Sequence, residues 1–236
     1  MIYKIADFTF DISFFDKRIK NFLYEYEDSK TAVADFEIKA TNEEIDAEIE
    51  RGKELDGDYG FSRGYYERLA ILRKICTVLI EKDAFLVHGA LIEYKGKGYL
   101  FCAKSGTGKT THIMLWQKLF GEEVRVINGD KPLLRMIDGE LYGYGTPWCG
   151  KEGLNINART KLDRICFIER AECNSISPAD EFFSLQRLLS QVMITDSANL
   201  DKQLSLVDKL LSCTKSYRLC CNMDLDAARV AYEGME

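Results

Sequence analysis

The spacing of apolar residues changes several times along the chain, and each spacing predicts a different element. Apolar and polar residues alternate over residues 3–12 and again over residues 32–38, which predicts short strands. Thr41 and Glu44 form a capping box ahead of an apolar repeat, so a helix is expected to begin there. The acidic, glycine-containing stretch at residues 52–60 predicts a loop. The first part of the chain is therefore expected to be an α+β segment.

A longer amphipathic helix is predicted next. Leu69, Leu72, Ile75, Cys76 and Leu79 recur at helical spacing, and the pattern ends near residue 82. Such a helix would pack on a sheet through its apolar face. We expect residues 1–74 to form an N-terminal α+β segment packed on a core formed by residues 75–236.

The chain then becomes rich in strands. Residues 85–94, a turn at residues 95–98 and residues 99–103 together predict an antiparallel hairpin, with His88 inside its first strand. The second strand of this hairpin leads directly into a glycine-rich loop. A mixed sheet is therefore expected, in place of the parallel sheet of doubly wound nucleotide-binding proteins.

The rest of the chain continues the α/β pattern. Residues 124–128 and 164–169 predict buried strands, and residues 133–144 predict a hairpin across an Asp138-Gly139 turn. Ser177-Pro178 is expected to begin a helix with Phe182, Leu185 and Leu188 on its inner face. A second helix is expected over residues 200–211. The predicted fold class is α/β with a mixed sheet.

The glycine-rich loop at residues 103–110 reads AKSGTGKT and has the spacing of a P-loop, with Ala103 in place of the usual first glycine. Glycines at 106 and 108 permit the backbone angles that direct N–H groups at an oxyanion. Lys109 would reach the β- and γ-phosphates, and Thr110 would bind Mg²⁺. The nucleotide, ATP or another nucleoside triphosphate, is expected to contact the residues Ser105, Gly106, Thr107, Gly108, Lys109, Thr110 and Thr111.

Three further features are candidates for chemistry. Asp130 follows the predicted strand 124–128, where a second ligand of the metal is expected, although a turn-forming aspartate has the same sequence context. His88 is either a group near the transferred phosphate or a hydrogen-bonded core histidine. The loop GTPWCGKE at residues 145–152, with Lys151 and Glu152, is either a substrate-facing loop or the end of a hairpin anchored by its tryptophan.

Composition excludes several other classes. A net charge of −6 and a pI near 5.2 do not favour binding to nucleic acid. No apolar run reaches the ~18 residues of a membrane-spanning helix, so no membrane contact is expected. The eight cysteines are scattered, without a Cys-x-x-Cys pair or a signal sequence, and are expected to be reduced thiols of a cytoplasmic protein. Cys102 and Cys166 are expected to be small core residues.

The runs LVHGALIEYKGKGYLFCAKSGTGKTTHIMLW and VRVINGDKPLLRM together resemble the HPr kinase/phosphorylase group, whose members share a fold with ATP-dependent phosphoenolpyruvate carboxykinases. The resemblance is strongest over residues 85–135 and weaker up to about residue 170. It implies a mixed-sheet P-loop kinase core and Mg²⁺-dependent phosphoryl transfer from ATP to a hydroxyl, commonly that of serine. It also implies that His88 lies near the transferred phosphate.

The chain departs from this family at one important position. Members with protein kinase activity carry two adjacent carboxylates after the second strand, whereas this chain has Gly129-Asp130. Either another group, His88 or Glu152, takes the second role, or the reaction differs. The N-terminal region does not look like the sensor domain of full-length members. The chain is instead similar to short, stand-alone HPr-kinase-like proteins, some of which modify peptide natural products and some of which phosphorylate free serine.

The expected function is that of a kinase which moves the terminal phosphate of ATP to an alcohol of a peptide, protein or small molecule. Asp130, His88 and Lys109 are the expected catalytic residues, with Lys151 as a candidate for the acceptor's negative groups or the departing phosphate. A carboxykinase-like enzyme acting on a small organic acid and a nucleotide-binding regulator without turnover are the alternatives. The sequence leaves the oligomeric state open, a homo-oligomer included.

Overall fold

The structure, a computed structural model, describes residues 1–56, 60–194 and 198–236. It is a mixed α/β fold. The strands within these ranges are β1 (Ile2–Ile5), β2 (Phe8–Ser13), β3 (Phe36–Lys39), β4 (Ala84–Leu86), β5 (Gly89–Tyr94), β6 (Lys97–Cys102), β7 (Arg125–Asn128), β8 (Leu133–Ile137), β9 (Glu140–Tyr144), β10 (Arg159–Arg170), β11 (Ser175–Pro178) and β12 (Lys215–Cys221). The α-helices are α1 (Ile19–Phe22), α2 (Asn42–Asp56), α3 (Arg63–Ile80), α4 (Lys109–Phe120), α5 (Glu181–Leu189), α6 (Leu200–Cys213) and α7 (Asp226–Met235).

The N-terminal strands form a small sheet of their own in the order β1-β2-β3. The alternating stretch at residues 3–12 is a hairpin of two strands, because Ala6 and Asp7 adopt φ angles of 53° and 65° and reverse the chain. The alternation at residues 32–38 becomes a strand only from Phe36 onward. The predicted α+β character of this segment is present, with strand bounds that differ from the pattern.

Two helices follow this sheet. The capping box that opens α2 is confirmed: the Thr41 N–H donates to Glu44 Oε2 at 2.7 Å, and the Glu44 N–H donates to Thr41 Oγ1 at 3.3 Å. The helix α2 runs through the first half of the predicted loop at 52–60, so that part of the prediction is wrong; residues 57–59 lie outside the described residues. The helix α3 begins at Arg63, earlier than its apolar repeat predicts, where Ser62 caps the N–H of Tyr65.

The larger sheet is mixed, as expected. Its path runs β4-β8-β9-β10-β6-β5-β7, with β12 paired to β10 and β11 to β12. The strand β6 is antiparallel to β5 and parallel to β10, and the hairpin β5–β6 turns at Lys95 and Gly96. The predicted single strand at residues 85–94 is wrong: it divides into β4, which pairs with β8, and β5, which pairs with β6 and β7. His88 lies at this division and not inside a strand.

The predicted helix start at Ser177-Pro178 is also wrong. These residues end β11, which pairs with β12, and α5 begins at Glu181 after an Asp180 cap that accepts the Phe183 N–H. The expected inner face is therefore shifted. Phe182 is 77% exposed, whereas Leu188 is fully buried.

Buried side chains form one cluster around the small sheet and two on the larger sheet. The first contains Tyr3 and Ile75 and extends to Leu133 and Trp148 in the larger sheet and its loops. The helix α3 crosses residue 74, so the expected division there stays a prediction. Cys102 and Cys166 are confirmed as buried core residues, and burial raises the pKa of the Cys102 thiol to about 12. Within the described ranges, no helix combines the length and apolar character that crossing a membrane requires.

Candidate functional site

The glycine-rich loop joins the end of β6 to the start of α4. Gly106 and Gly108 adopt φ angles of 75° and 123°. A Cβ added at either position would meet no atom within 4 Å, so the backbone angle, and not crowding, is what requires glycine. The loop delivers the chain to the first turn of a 12-residue helix, whose free N–H groups and dipole favour an anion.

Arg170, at the end of β10, holds the outer side of this loop. Its Nε donates to the carbonyl of Thr107 at 3.0 Å, and its Nη2 donates to the carbonyl of Gly106. Because N–H and C=O point in opposite directions across a trans peptide, the Gly108 N–H faces away from the guanidinium. Arg170 therefore fixes the side on which the loop presents its N–H groups. The sequence prediction did not include this residue, whose only signal is an arginine that ends a buried strand.

Lys109 lies inside the loop. Its side chain is buried, and Nζ donates to the carbonyl of Ala103 at 2.9 Å. Burial lowers the pKa of this ammonium, and the charge of the nearby Asp130 partly offsets the lowering. Lys109 is thus a desolvated cation on which the Asp130 charge acts, and its ammonium can exchange the carbonyl of Ala103 for an anionic oxygen.

Asp130 and His88 are brought together by backbone pairing. The Gly89 N–H donates to the Asp130 carbonyl at 2.9 Å, and the His88 N–H donates to the Gln191 carbonyl at 2.7 Å. These bonds set the imidazole beside the carboxylate, with His88 Nε2 3.0 Å from Asp130 Oδ1. His88 is about one third exposed, so its ring is open to solvent and is not that of a fully buried core histidine.

Lys131 binds the other oxygen of the Asp130 carboxylate. Burial alone would raise the pKa of Asp130, but the hydrogen bond from His88 and the charge of Lys131 hold that pKa below its ordinary value. Asp130 is therefore ionised at neutral pH. Lys131 is a second residue that the sequence prediction did not include.

Asn128 organises the turn that carries Asp130. Its fully buried side chain accepts the N–H of Asp130 at 2.9 Å and that of Lys131 at 2.7 Å, and its Nδ2 donates to the Thr146 carbonyl. The turn after β7 is thereby joined to the loop at residues 145–152. An asparagine directly before Gly-Asp is a known turn signal, although the sequence prediction assigned it no role.

The structure accounts for the absence of a second carboxylate at position 129. A Cβ on Gly129 would lie 3.3 Å from the carbonyl oxygens of Cys149 and Leu154, which leaves little room for a side chain. Another carboxylate comes close from the loop itself. A Cβ on Gly150 would lie 3.5 Å from Glu152 Oε2 and 3.7 Å from Asp130 Cγ, so the Glu152 and Asp130 carboxyl groups flank the same backbone position.

Three cavities border these residues. Two of about 450 and 410 Å³ lie along the glycine-rich loop; Arg187 and Gln191 line the first, and Leu115 and Met223 line the second. A third of about 680 Å³, which we call the aromatic cavity, is lined by residues 21–26, 61–69, 130–131 and 147–155, although not by every residue of these stretches. Asp130 thus lines the aromatic cavity, and its charge also acts on Lys109 of the glycine-rich loop.

The predicted site residues are distributed as follows. Asp130 and His88 are in contact, the charge of Asp130 acts on Lys109, and Thr110 stands next to Lys109 at the start of α4. Ser105, Gly106 and Thr111 are exposed, and Thr107 and Gly108 are half-buried. The Lys151 side chain is 91% exposed, with Nζ 3.9 Å from Glu152 Oε1. In the described part of the chain, no three His, Cys, Asp or Glu side chains are arranged to hold a metal ion by themselves.

Comparison with solved structures shows a distant likeness, whereas the other two comparisons found no match. No family model and no curated protein matches the chain. Among solved structures, the chain is similar to the Hpr(Ser) kinase/phosphatase from Coxiella burnetii, with 11% sequence identity and a TM-score of 0.38 over 63% of this chain and 94% of that chain. A likeness of this size leaves the functional interpretation to the geometry of the site.

Proposed function

We propose that this protein is a kinase that transfers the terminal phosphoryl group of a nucleoside triphosphate, ATP in the first instance, to a hydroxyl group. The observation that carries the proposal is a buried lysine at the mouth of a helix, set beside an ionised carboxylate that is paired with a histidine. Phosphoryl transfer needs held phosphates, neutralised charge and an oriented acceptor. This arrangement supports all three.

The donor phosphates would be held by the glycine-rich loop and Lys109. The loop amides and the first turn of α4 bind anionic oxygens, and Lys109 stabilises the charge of the transferring group. Thr110 and Asp130 supply a hydroxyl and a carboxylate, the hard oxygen donors that Mg²⁺ accepts together with phosphate oxygens. When bound, Mg²⁺ would neutralise charge on the phosphates.

The acceptor would be activated by the pair Asp130 and His88. As the acceptor oxygen bonds to the γ-phosphorus, the bond from that phosphorus to the bridging oxygen breaks and the nucleoside diphosphate leaves. The hydroxyl proton passes to the Asp130–His88 pair. Because the pKa of Asp130 is held low, we assign this carboxylate mainly to orientation of the hydroxyl, with His88 completing the hydrogen-bonded pair.

Glu152 is our candidate for the second carboxylate that position 129 does not supply. Like Asp130, it lies close to Gly150, and it is one third exposed and so remains open to ligands. Lys151 lies further out. We assign it to negative groups on the acceptor or to the departing phosphate, since its ammonium is free to move at the rim of the aromatic cavity.

A nucleotide-binding regulator without turnover is the second candidate. One observation favours it: both oxygens of the Asp130 carboxylate are already bound, one by His88 and the other by Lys131. A regulator would keep this arrangement when nucleotide binds. In a kinase, Lys131 must release the carboxylate or move with it toward the phosphate.

Labelled ATP with Mg²⁺, incubated with serine, peptides and cytosolic protein, separates the candidates. Label on a hydroxyl supports the kinase, turnover that depends on oxaloacetate supports a carboxykinase, and binding without transfer supports the regulator. Lys109→Ala should lower kcat by about a hundredfold or more, because one preorganised donor to the transferring group is worth that much. Lys118→Ala, on the exposed face of the same helix, is the matched control and should change nothing. Unchanged turnover in Lys109→Ala would contradict the proposal.

A further inference from the structure

The aromatic cavity is lined in equal parts by the N-terminal segment and by residues 130–155, and it points to a particular kind of acceptor. Its wall carries six aromatic side chains, which are Phe22, Tyr24, Tyr26, Phe61, Tyr65 and Trp148. Tyr24 is 71% exposed and Phe61 50% exposed, so part of this aromatic surface faces solvent. Large exposed aromatic groups around a concave site mark a place where a ligand docks.

The wall is held in place from both sides. Trp148 donates its indole N–H to the Arg68 carbonyl at 3.0 Å and packs edge-on against Phe22 at 5.5 Å between ring centroids. Asn155 donates to the hydroxyl of Tyr26 at 3.0 Å. The loop that follows Asp130 is thus fastened to α3 and to the segment after α1, and the cavity is preformed.

The wall also contains the guanidinium group of Arg68. The Arg68 guanidinium lies over the rings of Phe22 and Tyr65, at 4.6 and 5.5 Å from their centroids. Within the described ranges it donates no hydrogen bond and forms no ion pair; the neighbouring Asp16 is bound by Arg18. A stacked guanidinium with free N–H groups is a ready binding site for a carboxylate.

The other charges of the cavity do not cancel this one. Lys131 is paired with Asp130, Lys151 lies 3.9 Å from Glu152, and the exposed Glu25 also lines the cavity. Among the described residues, Arg68 is therefore the cation of this wall that has no carboxylate within ion-pair distance. Charge complementarity favours an acidic group on the ligand.

The size of the cavity and the low exposure of Asp130 favour some acceptors over others. The cavity of about 680 Å³ is far larger than a free amino acid, which would leave the aromatic wall uncovered. The Asp130 side chain, which lines the cavity, is only 20% exposed, and a rigid protein surface cannot easily reach a group that is so little exposed. A flexible peptide can place a side-chain hydroxyl at Asp130 and its neighbours along the wall.

We propose that the aromatic cavity binds a linear peptide whose hydroxyl residue is flanked by an apolar or aromatic side chain and by an Asp or Glu that pairs with Arg68. This inference rests on the proposed function for the identity of Asp130 as the transfer position. The binding of the peptide does not depend on the proposed phosphoryl transfer.

The experiment measures binding and phosphorylation separately. One set of short synthetic peptides has a central serine, one leucine and one aspartate, and the position of the aspartate differs from peptide to peptide. In the matched set, a lysine replaces the aspartate. Fluorescence anisotropy without nucleotide should give tighter binding for the best aspartate peptide than for its lysine partner, by about tenfold, as expected for one charge-assisted hydrogen bond at a partly exposed site. Labelled ATP then tests transfer to the same peptides and to free serine.

Two variants and a control make the test specific. Arg68→Glu should invert the preference, so that the lysine peptide binds better, which a merely structural role for Arg68 would not produce. Tyr24→Ser, at an exposed position, should weaken binding of both peptides several-fold. Phe182→Ser removes an equally exposed aromatic side chain outside the cavity and should leave binding unchanged.

The outcomes are distinguishable. Retained aspartate preference in Arg68→Glu, equal binding of all peptides, or faster phosphorylation of free serine or of folded protein than of any peptide would overturn the inference. Charge-selective peptide binding without any transfer of label would leave the inference in place and overturn the kinase proposal.

Discussion

At the scale of single residues, the chain uses its two histidines in opposite ways. His88 is partly exposed and hydrogen-bonded to Asp130, whereas His112 is 2% exposed on the inner side of α4. The Trp116 indole N–H donates to His112 Nε2 at 3.0 Å, so the neutral ring carries its hydrogen on Nδ1. Burial lowers the pKa of His112 to about 4. His112 is therefore uncharged wherever the protein is folded near neutral pH.

This lowered pKa makes a prediction about stability. Unfolded His112 binds a proton below about pH 6.5, while folded His112 does so only below about pH 4. Above pH 6.5, His112 is neutral in both states and does not change the free energy of unfolding with pH. As the pH falls from 6.5 toward 4, only the unfolded chain gains the proton, so the free energy of unfolding decreases by up to about 3 kcal/mol. His112→Gln cannot take up this proton and should lose less stability between pH 7 and pH 4.5, as measured by urea unfolding. Equal losses in both proteins would contradict the assignment.

A second residue-scale prediction concerns Glu152. If its carboxylate takes the role for which position 129 has no carboxylate and little room, Glu152→Gln should lower kcat by about ten- to a hundredfold with little change in ATP affinity, as expected when a group acts mainly in the transition state. Steady-state kinetics on the best acceptor measures this. Glu172→Gln, an exposed carboxylate far along the chain, is the control. A kcat equal to that of the control would assign the second role to His88 alone.

At the scale of elements, the sequence predicted features that depend on neighbouring residues and missed features that depend on residues far away in the chain. The capping box at Thr41, the presence of a turn within residues 95–98, the Asp138-Gly139 turn and the context of the glycine-rich loop depend on neighbouring residues and were predictable. The first of these turns is shorter than predicted, because β6 already begins at Lys97. The division at His88 was not, because it depends on a hydrogen bond to Gln191 in a distant part of the chain. The strand at Ser175–Pro178 was missed because a Ser-Pro pair is typical of a helix start and only pairing with β12 overrides it.

The same reasoning applies to the site. Lys109, Asp130 and the glycines stand in recognisable local patterns and were predicted as site residues, and that assignment stays a prediction for the proposed reaction. Arg170 has only the weak signal of an arginine that ends a buried strand, and Arg68 carries no local signal. Their roles arise only when β10 ends beside the glycine-rich loop and when α3 is fastened to Trp148.

An element-scale prediction follows for the end of β10. Arg170→Ala frees the carbonyls of Gly106 and Thr107, so the loop loses the bonds that orient its N–H groups, and the Kd for ATP should rise about tenfold. Isothermal titration calorimetry measures this. Arg170→Lys should recover part of the affinity through a single bond. Arg229→Ala, an exposed arginine on α7, serves as control, and an effect of Arg170→Ala no larger than this control would refute the positioning role.

At the scale of the whole molecule, the site joins parts of the chain that lie far apart in sequence. The glycine-rich loop and Asp130 belong to the larger sheet, while the aromatic cavity takes its wall from the N-terminal segment and α3. The same union is present in the core, because the first cluster of buried residues combines Tyr3 and Ile75 with Leu133 and Trp148. The two segments can therefore each contribute part of the site without forming two separately stable domains.

The two tryptophans allow this union to be tested. Trp148 belongs to the cluster around the N-terminal sheet, and Trp116 is fully buried in the cluster formed by α4, α7 and the larger sheet. In Trp148→Phe and Trp116→Phe a single indole reports on one cluster. If the clusters form one cooperative unit, the fluorescence midpoint of each variant in urea should equal its own midpoint by far-UV circular dichroism. An earlier fluorescence midpoint in Trp116→Phe alone would instead mean that the N-terminal segment unfolds first, and with it the wall of the aromatic cavity.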